Sequence, residues 1–313
     1  FDIFDSAVVR TCIIQILNTG KKDNIVNIIN IKNKNDSKKF ENKQYQNIEQ
    51  AVFKKTDENN FRINLNTEKI TLLRKIELNT VKVENICSVN YGLRPVSKSN
   101  KEKTYFIKDV YQNGFKKYFE GKDTGRWLIN KSSYLNYDIG DIYNPMFPEL
   151  FENEKLVGLC TLSEIKKLRF IYDNEGYYCN HSVGILTLWY LFKKVEYQTI
   201  KRLINENKIN LSKKYSLKYL QAILNSKLIK FYLNELFYDG THFYPNHMKQ
   251  LPIKKITELE QGVFINLVDQ IIALKKQNKD VDTKDLESQI DQLVYKLYDL
   301  TDEEIKIIEN SLK

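Results

Sequence analysis

Leu217-Lys218-Tyr219-Leu220-Gln221-Ala222-Ile223-Leu224-Asn225-Ser226-Lys227-Leu228-Ile229-Lys230-Phe231-Tyr232-Leu233 is followed by Gly240 and then by Leu251-Pro252-Ile253. Apolar residues at 217, 220, 224, 228 and 231 share one helical face, which predicts a long amphipathic helix. Periodicity of this kind by itself implies only a core helix leaving through a proline turn. The embedded Leu-Asn-Ser-Lys and the trailing Leu-Pro-Ile are far more specific than the spacing.

Upstream, short patterns recur in a fixed order. Ile86-Cys87-Ser88-Val89-Asn90-Tyr91-Gly92-Leu93-Arg94-Pro95 reads as a strand entering a glycine-centred loop, and Thr104-Tyr105-Phe106-Ile107 as the next strand. Phe119-Glu120-Gly121-Lys122-Asp123-Thr124-Gly125-Arg126-Trp127 follows, then Pro148-Glu149-Leu150-Phe151-Glu152-Asn153-Glu154-Lys155-Leu156-Val157. Leu168-Arg169-Phe170-Ile171-Tyr172-Asp173-Asn174-Glu175-Gly176-Tyr177-Tyr178 reads as strand, Tyr-Asp turn and strand.

Together these segments resemble the TaqI-like C-terminal target-recognition region of adenine-specific DNA methyltransferases and fused type IIG restriction-modification enzymes. Phe119–Trp127 is similar to that family's Gly-Lys/Arg-Asp-Ile-x-Arg-Tyr, with Thr124 for the apolar residue and Trp127 for tyrosine. The 148–157 segment is similar to its Leu-Phe-Glu-x-Pro-Lys-Ile, with Glu154 for proline. The resemblance covers roughly 4–255. It implies an α+β fold, with a mixed β-sheet recognition domain containing a long helix and a helical hairpin appendage after it. It also implies that the chain reads double-stranded DNA and does no chemistry. S-adenosyl-L-methionine would be held by an N-terminal methyltransferase domain of the same polypeptide, with no cofactor in this chain.

Composition fits a folded protein: 313 residues, 42% hydrophobic and 12% aromatic. No apolar run approaches the roughly 20 residues of a membrane span, so no membrane partner is expected. Cys12, Cys87, Cys160 and Cys179 are scattered, which suggests free thiols in a reducing cytoplasm and argues against zinc. The net charge of +9 is unevenly placed: residues 256–313 carry 7 lysines against 13 acidic groups, leaving +15 for residues 1–255. A basic surplus held in one part of a molecule is what a polyanion-binding surface requires. Yet 42 of the 49 basic residues are lysine, a bias that an AT-rich genome would produce unaided.

The first 85 residues are expected to be the end of a methyltransferase domain or a connector. Ala7–Leu17 and Ile25–Ile31 read as strands of a hairpin across the turn residues 18–24, residues 32–60 as a strand or two with loose connections, and Ile70–Leu78 as a short helix. The start at Phe1, without methionine, suggests a C-terminal portion of a longer protein. The recognition domain is expected over 86–255 and the appendage over 256–313. In the appendage Val263, Phe264, Leu267, Val268, Ile271 and Leu274 line one helix. Leu286, Ile290, Leu293, Val294 and Leu297 line a second, and Thr301 caps a short third.

Catalytic signatures are missing from the sequence. An adenine-N6 methyltransferase needs a glycine-rich cofactor loop and an Asn/Asp-Pro-Pro-Tyr/Phe loop for the flipped base. Asn144-Pro145-Met146-Phe147 approaches the latter but has methionine for the second proline, and reads better as a turn. Glu41-Asn42-Lys43, Glu164-Ile165-Lys166 and Glu304-Ile305-Lys306 fit the short half of a Mg²⁺-nuclease motif, as chance allows in a chain rich in both residues. A nuclease therefore stays as one alternative function, and half of a type I restriction specificity subunit as another.

A recognition face needs cations for phosphates and polar side chains for base edges. Arg94 follows the glycine loop, near Lys98. Lys122 and Arg126 flank Gly121 and Gly125, where backbone can approach a phosphate. Lys166, Lys167 and Arg169 form a basic cluster at a strand start. Asn180, His181 and Ser182 interrupt an aromatic strand. His242 and Tyr244 lie in the loop after Gly240. Each has a plain alternative as a solvated or packing residue.

Overall fold

The computed structural model describes residues 15, 24–29, 38, 42, 45–53, 65–238 and 240–312. The chain divides into two compact units, 1–71 and 72–313. In the first, β1 (Ile25–Ile28) pairs antiparallel with β2 (Gln46–Glu49), which runs into α1 (Gln50–Phe53). Ile48 and Phe53 are buried there, with Val26, Ile28 and Ile70 packed against them. The hairpin partner expected at 7–17 lies, but for one residue, outside the described residues. Helix α2 (Thr67–Glu77) covers the helix expected at 70–78 and crosses the division.

The second unit is α+β. It opens with β3 (Thr80–Lys82), α3 (Val83–Ile86), β4 (Cys87–Tyr91) and β5 (Arg94–Ser97). Then come α4 (Lys103–Phe106), β6 (Ile107–Lys108), β7 (Lys116–Phe119), β8 (Ser133–Leu135), β9 (Ile142–Asn144) and α5 (Pro148–Glu152). The strand expected at 104–107 is mostly the helical turn α4. Alternation would bury Thr104 with Phe106, but Thr104 is exposed, and one helical turn suffices to seat the single Phe106 ring.

The central sheet follows: β10 (Lys155–Leu159), β11 (Phe170–Asp173) and β13 (Val183–Leu188), with the short β12 (Tyr178–Cys179) between the last two in sequence. Its order is β11-β10-β13-β4, antiparallel throughout. Every residue of β10 and β13 is buried, which explains why both lack the alternation of a half-exposed strand. A smaller sheet has the order β12-β7-β8-β6, and β5 pairs with β9.

Helices α6 (Gln198–Leu203) and α7 (Glu206–Ser212) lead into α8 (Leu217–Asn225) and α9 (Lys227–Leu236). The long helix expected at 217–233 is thus two helices, broken at Ser226. Ser226 is extended (φ −66°, ψ 157°), and its hydroxyl accepts from the Ile229 N–H, capping α9. Asn225 is turned instead to the sheet: its Oδ1 accepts from the Phe170 N–H at 2.8 Å and its Nδ2 donates to the Phe170 carbonyl at 2.8 Å. An amide that mimics a neighbouring strand locks α8 to the first residue of β11. Leu-Asn-Ser-Lys is therefore a joint: Lys227 completes it by ion-pairing with Glu309 at 2.8 Å.

After α10 (Pro245–Lys249), Leu-Pro-Ile forms β14 (Pro252–Lys254), which pairs with β3. The carboxy-terminal helices are α11 (Glu258–Gln277), α12 (Lys284–Leu297) and α13 (Asp302–Ser311). They belong to the second compact unit. The Tyr298 hydroxyl donates to Pro252 O at 2.9 Å, and Gln261 Nε2 donates to Lys214 O at 2.6 Å. Thr301 caps α13 in a reciprocal box with Glu304. Among the described residues no helix is long and apolar enough to cross a membrane.

Candidate nucleic-acid interface

Strand register decides which loops meet. Leu159 lies opposite Val183, Gly158 opposite Phe170, and Gly184 opposite Tyr91. The end of β10, the starts of β11 and β13 and the end of β4 therefore share one edge of the central sheet. That edge gathers the segments 91–94, 160–169 and 180–182.

Two further loops are fastened to it. The Phe243 N–H donates to Cys160 O at 2.9 Å and the Leu162 N–H to Thr241 O at 2.8 Å, bringing in His242 and Tyr244. The Gly121 N–H donates to Ser182 Oγ at 2.9 Å and Arg169 Nε to Thr124 Oγ1 at 3.0 Å, bringing in Lys122 and Arg126. Residues from five separated stretches so converge on one sheet end.

Their roles there differ. Asn180 Oδ1 accepts from the Ser182 N–H at 3.2 Å, and Ser182 in turn holds Gly121, so both side chains are committed to shaping the loop. His181 is the exposed member of the triplet. Its backbone N–H donates to Leu93 O at 2.9 Å while the Leu93 N–H donates to Cys179 O at 2.9 Å. This crossing requires Gly92: a Cβ there would lie 2.3 Å from Asn180 O. The result sets Arg94 beside His181. Burial and then the Arg94 guanidinium hold the His181 imidazole below the ordinary histidine value, so it is neutral at pH 7.

Arg94 is exposed and, among the described residues, has no ion-pair partner. Tyr91, 39% exposed at the end of β4, adjoins both Arg94 and Tyr244, and burial pushes its phenol up. The sequence reading quoted Tyr91 without selecting it; its place as the last strand residue before the glycine was the available signal. The His242 and Tyr244 rings stack at 5.4 Å between centroids and 8° between planes. Lys122 is exposed and pairs with Glu120 at 3.2 Å. Lys166 and Lys167 project from the 3₁₀ turn Ile165–Lys167, Lys167 donating to Ser163 Oγ at 2.9 Å.

Three residues stand apart from this exposed set. Lys98 lies along the β5–β9 ribbon, where its ammonium donates to Gly140 O at 3.2 Å. Arg126 turns toward the carboxy-terminal helices and pairs with Glu287, which also accepts from Trp127 Nε1 at 2.8 Å. Arg169 is half-buried beside Arg126, and burial followed by that neighbouring cation lowers its basicity.

Glu41 and Lys43 of the first nuclease-like triplet lie outside the described residues, and the other decoy motifs are tied into the fold. The Tyr137 hydroxyl donates to Pro145 O at 3.0 Å, tying down the turn that contains Met146 at φ 59°. Glu304 pairs with Lys75 at 2.7 Å, and Glu164 with Lys167 at 3.7 Å. Among the described residues no cluster of three or more His, Cys, Asp or Glu could hold a metal. A cleft of about 360 Å³ lies elsewhere, between the Tyr-Asp turn and α11. Its Lys218 pairs with Asp269 at 2.5 Å, and its Lys275 and Lys279 donate to main-chain carbonyls.

No family model and no curated protein matches the chain. Among solved structures it is similar to the HsdS subunit from Thermoanaerobacter tengcongensis, at 12% identity and a TM-score of 0.35. The match covers 74% of this chain and 50% of that one, so the chain spans about half that subunit's length. A likeness of this size carries no functional argument.

Proposed function

We propose that the chain is a DNA target-recognition region of a restriction-modification system, and that the sheet end described above is laid on duplex DNA. The supporting observation is the convergence of 91–94, 122–126, 166–169, 180–182 and 242–244 on one edge. Four strands at about 4.8 Å spacing span about 14 Å, comparable to the roughly 12 Å width of a B-DNA major groove. Arg94 suits bidentate bonding to guanine O6 and N7, and neutral His181 offers one donor and one acceptor to a base edge. Tyr91 and the His242–Tyr244 stack supply flat apolar surface. Lys122, Lys166 and Lys167 supply sequence-independent, salt-sensitive affinity.

The finer reading rests on the ordered motifs of 86–255: the target is methylated at an adenine by an S-adenosyl-L-methionine-dependent domain of the same polypeptide. A specificity subunit that docks separate methyltransferase chains would use the same face. The two part on whether the upstream reading frame carries Asn-Pro-Pro-Tyr.

The test is selection of duplexes from a randomised pool at moderate salt, followed by sequencing. Enrichment of one short adenine-containing motif is the expected outcome. Arg94→Ala and His181→Ala should relax that motif at single positions. Lys122→Ala should weaken binding to all sequences and flatten the salt dependence by about 0.9 in log–log slope. Failure to bind any duplex at low salt would overturn the reading.

A further inference from the structure

Helix α11 is 20 residues long and carries apolar residues on two faces. Phe264, Leu267, Val268 and Ile271 are buried, with Phe264 meeting the Tyr219 ring edge-on at 5.4 Å between centroids. The opposite face is exposed. At roughly 100° per residue, Leu259, Val263, Asn266, Gln270, Ala273 and Leu274 fall within about 60° of one line along the helix. Gly262 and Gln277 complete that stripe, so it carries no charge from end to end. All eight are exposed, Leu259 at 90% and Val263 at 49%, and a Cβ on Gly262 would meet nothing within 4 Å. The outer face of a surface helix is ordinarily charged, and a stripe this wide is what a helix presents to a packing partner.

The charges beside the stripe say what covers it. Glu258 at the amino end and Lys276 at the carboxyl end stand on the same border, each about 100° from the midline. Neither has an ion-pair partner among the described residues. Glu175, which lies within electrostatic reach of Lys276, is already paired with Lys117 at 2.8 Å. The other charges are committed within the chain. Asp269 pairs with Lys218 at 2.5 Å, Glu260 closes the capping box of Thr257, and the Lys275 ammonium donates to Val281 O at 2.6 Å.

In an antiparallel helix pair related by a twofold axis, like borders face each other. With the axis level with Leu267, midway between 258 and 276, Glu258 of each copy meets Lys276 of the other. The same register sets Leu259 against Leu274 and Val263 against Gln270. A parallel pair would oppose Glu258 to Glu258 and Lys276 to Lys276. We propose that α11 pairs antiparallel with α11 of a second copy of this chain, through one self-complementary face. Asn266 and Gln270, bonded to each other at 3.1 Å, stand mid-stripe, where polar residues fix register at a cost in affinity. One helix face about 30 Å long is a small interface, so dimerisation in the micromolar range is expected. The contact uses no residue of the sheet end assigned to DNA and does not depend on the proposed function.

The test is sedimentation equilibrium of the full chain across micromolar concentrations, where the average mass should rise from monomer to dimer. Leu259→Glu changes a side chain that is almost wholly exposed, and should abolish the rise while leaving the unfolding midpoint of the monomer unchanged. Glu258→Lys and Lys276→Glu each turn two attractive pairs into repulsive ones and should weaken the dimer about tenfold. The double variant restores opposite charges and should return the dissociation constant to within about threefold of wild type. A chain that stays monomeric overturns the proposal and leaves the stripe to another partner. A dimer indifferent to Leu259→Glu places the interface elsewhere and also overturns it. Single charge variants that weaken the dimer without rescue in the double variant would refute the antiparallel register.

Discussion

Lys155→Met tests whether the residues carrying the family resemblance are architectural. Lys155 and Asp173 are fully buried, face each other in register across β10 and β11, and lie 2.5 Å apart as an ion pair. The Lys155 ammonium also donates to Phe151 O. Asp173 accepts from the Glu175 N–H at 2.8 Å and the Tyr177 N–H at 3.0 Å, which shapes the Tyr-Asp turn. Breaking a buried pair from one side leaves an uncompensated charge and costs about 3–5 kcal/mol. Lys155→Met leaves a carboxylate still held by two N–H groups, so the cost should fall near 3 kcal/mol. Asp173→Asn strands an ammonium with carbonyl partners only and should cost nearer 5 kcal/mol.

The double variant removes both charges and keeps an acceptor for the turn, so it should cost less than either single change. Urea unfolding is the assay. With a slope of about 2–3 kcal/mol per molar, Lys155→Met should move the midpoint down by about 1–1.5 M. Additive costs in the double-variant cycle, or a midpoint shift under about 0.3 M for Lys155→Met, would refute the reasoning.

Asn225→Ala removes both bonds to the backbone of Phe170 and leaves a buried N–H unsatisfied, so a loss of about 2–3 kcal/mol in urea unfolding is expected. A cost under about 1 kcal/mol would mean that α8 does not depend on that joint. Gly92→Ala puts a methyl group 2.3 Å from Asn180 O and 2.4 Å from Cys179 O, both backbone atoms that cannot turn aside. A loss of about 3 kcal/mol or more is expected, with altered duplex selection because Arg94 and His181 are displaced; a neutral change would refute the crossing. Burial, then the charge of Arg126, holds the Lys230 ammonium down at about 8, against about 10.4 in an unfolded chain. Between those values the unfolded state binds more protons, so Lys230 makes stability rise with pH. Burial pushes the Cys87, Cys160 and Cys179 thiols up, which acts in the opposite sense above about 8.5, so the comparison must be a difference. The stability advantage of Lys230→Met over wild type should shrink by about 2 kcal/mol from pH 7.5 to 9.5. A constant difference would place Lys230 in water.

Features set by neighbours in the chain were legible in the sequence. Thr301 with Glu304 three residues on announced its cap, and the spacing of Phe264, Leu267, Val268 and Ile271 announced a buried helical face. Periodicity also located 217–233, but it is blind to a break that keeps the apolar stripe in step, and Ser226 with Asn225 makes such a break. What could not be read were pairings across long separations. Trp127 finds Glu287 at 160 residues' distance, and Asn225 finds Phe170 at 55. The candidate residues were chosen one loop at a time. Only strand register shows that most of them share an edge, that Lys98 does not, and that Asn180 and Ser182 are bound up in the loop they were expected to read from. Lys230 was invisible for the opposite reason: on a helical wheel it is an ordinary polar residue, and its burial comes from α12 packing over α9.

The same contrast separates what the motifs record from what a recognition face must vary. Asn225, Ser226, Lys155, Asp173 and Pro252 carry the resemblance, and each is engaged with backbone or with a partner inside the fold. None is free to touch a base, so these residues specify a scaffold and are silent on a target. Arg94, His181, Tyr91 and Tyr244 lie on loops or strand ends whose backbones are pinned by other residues: Gly92, Leu93, Ser182 and Cys160. Their side chains can change without disturbing those pins. Under the proposed function, target sequence and stability would be set by different residues. Exchanges at 94, 181 and 244 should redirect duplex selection at costs within about 0.5 kcal/mol, as for other exposed positions, while changes at the motif residues should cost stability first.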